Sequence, residues 1–451
     1  MKNINFKDTR KTIERHMLAD GMSPVIDLEK SHGSWLVDGN TGKEYLDLFS
    51  MYASMSIGYN HPYVLENIDR LAKASVNKPA NSDIYSPQMA EFVDTVSKVA
   101  QPNYLPYAFY IEGGGLAVEN ALKTAFDWKA RKNMAKGKQQ GKQQVIHLKD
   151  CFHGRTGYTM SLTDSPDIRK VQYFPKFNWP RVSNPSMIFP INDENTSKVI
   201  SLEKDSINEI KQILLKRSDD IACLIIEPIQ GEGGDNHFRS EYFKELKSLS
   251  LENDFLLIYD EVQTGIGITG KMWAHQHLCE PSCDNGCEIH CKAIEPDIIS
   301  FGKKTQCCGI FAGERLNEVD GHVFEESSRI NSTFGGNLVD MVRFTIYLEL
   351  IEREGLVKKA EQSGQYLLSS LIKLQDEHSD LITNTRGKGL FCAYDLPTPE
   401  HRDKMIEFAE KEGAILLGCG HRSIRFRPHL NISIEEIDIA ISIIKNSLNR
   451  L

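Results

Sequence analysis

Short apolar runs alternate with longer amphipathic stretches through the middle of the chain, a pattern that predicts βα units on a mostly parallel sheet. The clearest strand segments are YAFYIEGGG, QVIHLKD, IACLIIEP, FLLIYDE and PDIISFGKK. Each is rich in β-branched or aromatic residues and ends where polar or glycine residues begin. Ligands of open α/β sheets gather beyond the carboxyl ends of the strands, so the chemistry is expected just after each run. From about residue 340 the pattern changes to two long helices, MVRFTIYLELIERE and AEQSGQYLLSSLIKLQDEH, then short strands in GKGLFCAYDL and SIRFRPHL and a closing helix. That part reads as a separate α+β lobe. The opening residues contain GSWLVDGNTGKEYLDLF, a hairpin pattern turning at Asn40 to Gly42, and are expected to join the same lobe. The expected division is 1–60 for this N-terminal segment, 61–339 for a large domain and 340–451 for a small one. RKNMAKGKQQGKQQ reads as a solvated helix end and turn.

Composition narrows the class. The 451 residues are 40% hydrophobic and 25% charged with a formal net charge of −9, so no basic excess points to nucleic acid. A small anionic or zwitterionic substrate would need locally placed cations. The N-terminus lacks an apolar signal-peptide core and no run of eighteen apolar residues occurs, so neither secretion nor a membrane span is expected and a cytoplasmic location is. Of ten cysteines, Cys151, Cys223, Cys392 and Cys419 lie in apolar runs, as small buried hydrophobes do. Cys279, Cys283, Cys287 and Cys291 recur instead at every fourth position.

LLIYDEVQTGIGITG followed by DIISFGKK puts Asp260 at the end of one buried strand and Lys303 at the end of a later one. A pyridoxal 5′-phosphate enzyme needs a lysine to bond the cofactor aldehyde and an acid to keep the ring nitrogen protonated. Taken singly, each residue reads better as an Asp capping a helix or a Lys on a loop. EGGGLAVENALK is a glycine turn opening a helix, where N–H groups near Gly114 and Gly115 suit a phosphate. CFHGRTGYT supplies Phe152 to stack on a planar ring and Arg155 to hold a carboxylate.

With these pieces together the chain resembles the class III pyridoxal-phosphate aminotransferases of fold type I, and within them the lysine 6-aminotransferase subfamily, over nearly its whole length. The phrases that carry the resemblance are KPANSDIYS, IEGGGLAVENALKTAFDWK, FHGRTGYTMSLT, EPIQGEGGDNHFR, DEVQTGIGITG, FGKKTQ, NSTFGGNLVDMVR and SIRFRP. The resemblance implies a large domain with a mostly parallel seven-stranded sheet plus a smaller α+β domain, and L-lysine and 2-oxoglutarate as substrates. It implies Lys303 as the covalent anchor of the cofactor, Asp260 on the ring nitrogen, and Gln263 on the ring oxygen. Gly114 and Gly115 would bind the phosphate, with Phe152 and His153 completing the cofactor site. Thr333 would reach the phosphate of a second subunit, so a homodimer is expected. Arg155 would take the far carboxylate of both substrates and Arg425 the α-carboxylate of 2-oxoglutarate, with Asn331 beside them. Glu232 would be the gate: lysine presents its ε-amine on a carbon without a carboxylate, and Glu232 then neutralises Arg425, which would otherwise be an uncompensated charge.

Two departures are small. Gly115 stands where lysine-specific members usually have alanine, and Cys307 where a small aliphatic is expected. The large one is the added segment CEPSCDNGCEIHCKAIE, about residues 279–295. Its four thiols, with His290 inside and His275 and His277 just before, are a sufficient ligand set for structural zinc or an iron–sulfur cluster; a reduced or redox-labile surface loop is the alternative. Preceding the strand PDIIS, it is expected at the amino edge of the sheet, away from the cofactor. Three other readings of the chain stand beside the main one: a class III enzyme for another ω-amine such as ornithine, 4-aminobutyrate or a diamine; a racemase or isomerase on the same scaffold; and a non-catalytic cofactor-binding protein. The last two have no use for a Glu232–Arg425 exchange.

Overall fold

The computed structural model describes residues 4–279 and 291–451. Seven strands form the central sheet in the order Tyr107–Ile111, Cys308–Ala312, Ile298–Phe301, Leu256–Asp260, Ile221–Ile226, Gln144–Leu148 and Arg181–Val182. From Ile298–Phe301 to Arg181–Val182 all neighbours are parallel; Cys308–Ala312 alone runs antiparallel to both its neighbours. All five expected runs are strands of this sheet. The two further strands have physical reasons to be inconspicuous: Cys308–Ala312 returns directly after the tight turn at Lys303–Thr305, and Arg181–Val182 is only two residues long. Ile221–Ile226 and Leu256–Asp260 are buried at every position, the environment of a strand covered on both faces, which explains their unbroken apolar character. Helix Gly114–Ala135 covers one face with Ala117, Val118, Ala121, Leu122, Ala125 and Trp128.

The C-terminal part opens with helix Leu338–Glu354, which packs on Pro87–Val99 and stops at Gly355 in the left-handed conformation. Thr383–Lys388, Phe391–Asp395, Ser423–Phe426 and Leu417–Cys419 make a four-stranded antiparallel sheet. GKGLFCAYDL therefore holds the end of one strand, a turn and the whole of the next strand. Gly389 has φ 53° there, and a side chain on it would overlap the backbone of Thr269 and Gly270. The N-terminal hairpin, Trp35–Val37 with Glu44–Asp47, is joined in parallel by Ala414–Ile415, so the two ends of the chain share a sheet.

Directly after the hairpin the chain makes a left-handed helical turn: Ser50, Met51, Tyr52 and Ala53 have φ of 41°, 53°, 61° and 62°. Such backbone costs about 1–2 kcal/mol per L-residue and persists only where neighbours over-determine it. Asp47 Oδ1 accepts from the Phe49 and Ser50 N–H groups, and Ser50 Oγ donates to the Arg427 carbonyl. At the far end Lys304 Nζ donates to the Ala53 carbonyl and Gln306 Nε2 to that of Ser54.

The added cysteine segment is described only at its flanks; Cys283, Cys287 and His290 lie outside the described residues. Cys279 packs against the main core and Cys291 is buried within it. Asp297 then joins the segment to the start of strand Ile298–Phe301, the end away from Lys303. Both preceding histidines are engaged inside the fold: His275 Nδ1 meets Glu261 Oε1 at 2.8 Å and its other nitrogen meets the Tyr104 hydroxyl, while His277 Nε2 lies 2.9 Å from the Thr269 carbonyl. Among the described residues no group of three or more His, Cys, Asp or Glu could hold a metal ion, so nothing described supports the expected zinc or iron–sulfur site. Nor, among them, is any helix long and apolar enough to cross a membrane.

Candidate active site

A cavity of about 400 Å³ opens at the carboxyl ends of the central strands, between the sheet and the C-terminal lobe. Ser300 pairs with Asp260 across parallel strands, so Asp260 ends one strand while the next carries the chain on to Lys303. Asp260 is fixed on several sides: Oδ1 accepts from the Val262 N–H (3.1 Å) and Ser300 Oγ (3.2 Å), and Oδ2 lies 2.7 Å from His153 Nδ1. Both partners of that last contact are buried, which makes His153 a rigid support for the carboxylate. Lys303 has φ 55°, again left-handed, and lines the cavity. Burial lowers its amine pKa, and the positive charge of Arg425 lowers it further against the opposing pull of Glu232 and Asp260.

Gly114 and Gly115 open helix Gly114–Ala135 at the cavity wall, and no side chain caps that helix's first turn. A methyl on Gly114 would approach Val262 Cγ1 to 2.9 Å, so the close passage needs glycine. One on Gly115 would come to 3.3 Å from Thr156 Cγ2, a tight but adjustable contact. The turn therefore presents bare N–H groups at the positive end of a long helix. Phe152 and Gln263 line the cavity too. Gln263 Oε1 accepts from both Nε and Nη2 of Arg427 at 3.1 Å, so its amide nitrogen is the free end, a donor. Arg427 is fully buried, forks onto Asp235 and stacks on Phe391.

Glu232 stands at the tip of a short hairpin, Ile229–Gln230 with Asn236–His237. Its Oε2 accepts from Arg425 Nη2 at 2.9 Å and its Oε1 from Lys170 Nζ at 2.6 Å. Burial raises the Glu232 carboxyl pKa, but the charge of Arg425 and the bond and charge of Lys170 outweigh it and hold it at about 2. Arg425, on the strand Ser423–Phe426, and Arg427, just beyond its end, lie two residues apart and so face the same side, and Gly420 N–H donates to the Glu232 carbonyl.

One chain thus brings together Lys303, Asp260, Glu232, Gly114, Gly115, Phe152, His153, Gln263 and Arg425. It does not bring Arg155, Asn331 or Thr333 to the cavity wall; all three are exposed, and the Thr333 carbonyl accepts from Ser82 Oγ. Five lining residues escaped sequence reasoning: Glu227, Val262, Gly154, Lys170 and Tyr52. Glu227 follows the strand Ile221–Ile226, so the strand-end rule reaches it; it accepts from the Phe152 and Gly231 N–H groups, and burial with the nearby Asp260 charge pushes its carboxyl well above the usual range. Val262 sits inside the DEVQ phrase, whereas Lys170 and Tyr52 reach the cavity from irregular segments that carry no periodic signal.

The arrangement suits pyridoxal 5′-phosphate. An uncapped glycine turn that side chains would fill would receive the phosphate, Asp260 retains acceptor capacity for a ring N–H, the Gln263 amide donor suits a ring oxygen, and an amine of lowered pKa stands at Lys303.

Comparison with known proteins gives the family and the fold. The family model Aminotransferase class-III matches residues 17–448. The L-lysine-epsilon aminotransferase of Mycobacterium tuberculosis is 46% identical over 97% of this chain and 94% of its own length. That of Streptomyces clavuligerus is 44% identical over 99% and 95%. A solved structure of the M. tuberculosis lysine aminotransferase superposes with a TM-score of 0.94 at 44% identity, covering 99% of this chain and all of the other.

Proposed function

This chain belongs to the class-III aminotransferases, with the pyridoxal-phosphate type I fold, and we propose that it moves the ε-amino group of L-lysine to 2-oxoglutarate. The products would be L-glutamate and 2-aminoadipate 6-semialdehyde, which cyclises to piperideine-6-carboxylate. The observation that carries this reading is the Glu232–Arg425 pair, with Arg425 only 4% exposed, beside Lys303 and Asp260 in one cavity.

Pyridoxal 5′-phosphate, the cofactor of class-III aminotransferases, supplies an aldehyde for the amine and a ring that withdraws electrons from the adjoining carbon. The chain supplies everything else. Gly114 and Gly115 anchor the phosphate, Phe152 covers the ring, and Gln263 donates to the ring oxygen. Asp260, braced by His153, keeps the ring nitrogen protonated. Lys303 is the covalent anchor; once its amine is released it takes the proton from the substrate's ε-carbon, and burial with the charge of Arg425, by lowering its pKa, favours the neutral amine that this needs. In the lysine half-reaction Glu232 neutralises Arg425, so the carboxylate-free end of the substrate meets no bare cation. In the second half-reaction the α-carboxylate of 2-oxoglutarate takes Arg425 in its place. Alternation of two substrates in one cavity gives ping-pong kinetics. Arg155 holds the far carboxylate, with Asn331 near it, and Thr333 completes the phosphate site of a second subunit, so the working unit is a homodimer in the cytoplasm.

An amino-donor panel with 2-oxoglutarate tests the proposal, with aldehyde trapping and the cofactor absorbance as readouts. Turnover of L-lysine with a trapped 6-semialdehyde is expected. Activity confined to α-amines, or to ornithine, 4-aminobutyrate or diamines, overturns it.

A further inference from the structure

Glu232 is held by two cations of different depth. Arg425 is almost fully buried, whereas the Lys170 side chain is 28% exposed and Glu232, at 24%, bridges them. Lys170 ends the short turn Ile168–Lys170; Asp167 at the start of that turn is engaged by Arg169, and Lys170 reaches to Glu232. Lys170 and Glu232 line the inner cavity and also a second cleft, about 480 Å³, walled by Ser165, Arg402 and His421. The Lys170–Glu232 pair is thus the partition between the reaction chamber and the outer cleft.

A gate carboxylate released from Arg425 with no other partner would be a partly desolvated, unpaired anion, which is costly. A ligand shifts such a gate only by its preference for the open state, and that cost is subtracted from its affinity. We propose that Lys170 is the positioning residue of the gate: when a substrate α-carboxylate takes Arg425, Glu232 keeps its bond to Lys170 and turns toward the outer cleft. Two cations then face two carboxylates. With lysine bound, one carboxylate is shared by both cations. The proposal rests on the two-substrate reading above and adds to it the residue that makes opening affordable.

The test is Lys170→Met and Lys170→Arg in the holoenzyme, with the two half-reactions followed separately by cofactor absorbance. In Lys170→Met the 2-oxoglutarate concentration for half-saturation rises roughly tenfold to a hundredfold, the scale of one lost charge-assisted hydrogen bond, while the lysine half-reaction stays within about twofold. Lys170→Arg restores most of the difference. Calorimetric binding of unreactive glutarate weakens in parallel in Lys170→Met, and binding of valerate, which has no second carboxylate, does not. An equal fall in both half-reactions, or unchanged glutarate affinity, overturns the role of Lys170. A wild-type enzyme that does not consume 2-oxoglutarate overturns instead the reading on which it rests.

Discussion

Replacing Gly231 by alanine tests how Gln263 is aimed. The added methyl falls on the Gln263 amide oxygen, the atom held by Nε and Nη2 of Arg427 at 3.1 Å. Arg427 cannot follow, because it is forked onto Asp235 and stacked on Phe391. Gly231 cannot retreat freely either: its N–H donates to Glu227 Oε2 at 3.1 Å. Relief therefore costs either the two bonds to one charged donor or the bond to Glu227. Hydrogen bonds to charged groups are worth about 1.5–3 kcal/mol each, and two that share one oxygen are worth less than their sum, so Gly231→Ala is expected to destabilise by about 2–4 kcal/mol. The measurement is a double-mutant cycle with Gln263→Ala on the apo-protein, read as urea midpoints so that lost cofactor contacts do not enter. In the Gln263→Ala background the overlap is gone, and Gly231→Ala should cost below about 1 kcal/mol. Equal costs in the two backgrounds would refute the steric coupling and leave the orientation of Gln263 unexplained.

Other expectations follow from the same site. Lys303→Ala should leave residue 303 unlabelled after borohydride reduction and peptide mapping, whereas the wild type carries the reduced cofactor there; label on another lysine refutes the assignment. Asp260→Asn should lower the rate of both half-reactions by about a hundredfold or more, because a preorganised charge is lost where the ring nitrogen must stay protonated, and a loss confined to one half-reaction would contradict this. Glu232 has a carboxyl pKa depressed to about 2 from an ordinary 4.5, so its pairing adds stability that is complete above the ordinary value and disappears as pH falls toward about 2. The stability gap between wild type and Glu232→Gln should accordingly be flat above about pH 5 and shrink in acid; a gap that widens in acid reverses the sign and rejects the pairing.

Much of the site was legible because strand ends are. The apolar runs closing on Asp260 and Lys303 are adjacent parallel strands, and the glycine turn at Gly114 opens a helix as expected. Glu227 obeys the same rule and was passed over because a lone acid before proline reads as a loop. Lys170 and Tyr52 were not legible at all: one sits on a three-residue turn, the other on left-handed backbone built from residues that ordinarily avoid it. The strand Cys308–Ala312 was hidden by its nearness to the lysine turn. Asn331 and Thr333 came from family resemblance alone, Arg155 also from its own phrase CFHGRTGYT, and within one chain all three remain exposed. Four cysteines at even spacing suggested a ligand set, yet the imidazoles beside them already serve Glu261, Tyr104 and Thr269.

Arg425 and Arg427, some twenty-five residues from the C-terminus, hold Glu232, Asp235 and Gln263, and the left-handed turn near the N-terminus leans on the Arg427 carbonyl. During synthesis the chamber is therefore unfinished until the strand Ser423–Phe426 and Arg427 have been made. Cofactor captured on a shorter nascent chain would meet a mobile Gln263 and a Glu232 held by Lys170 alone. Contacts of such long sequence separation form late, so productive loading waits on the segment that carries Arg425 and Arg427. C-terminal truncation by a few dozen residues should spare the central sheet and abolish the chamber.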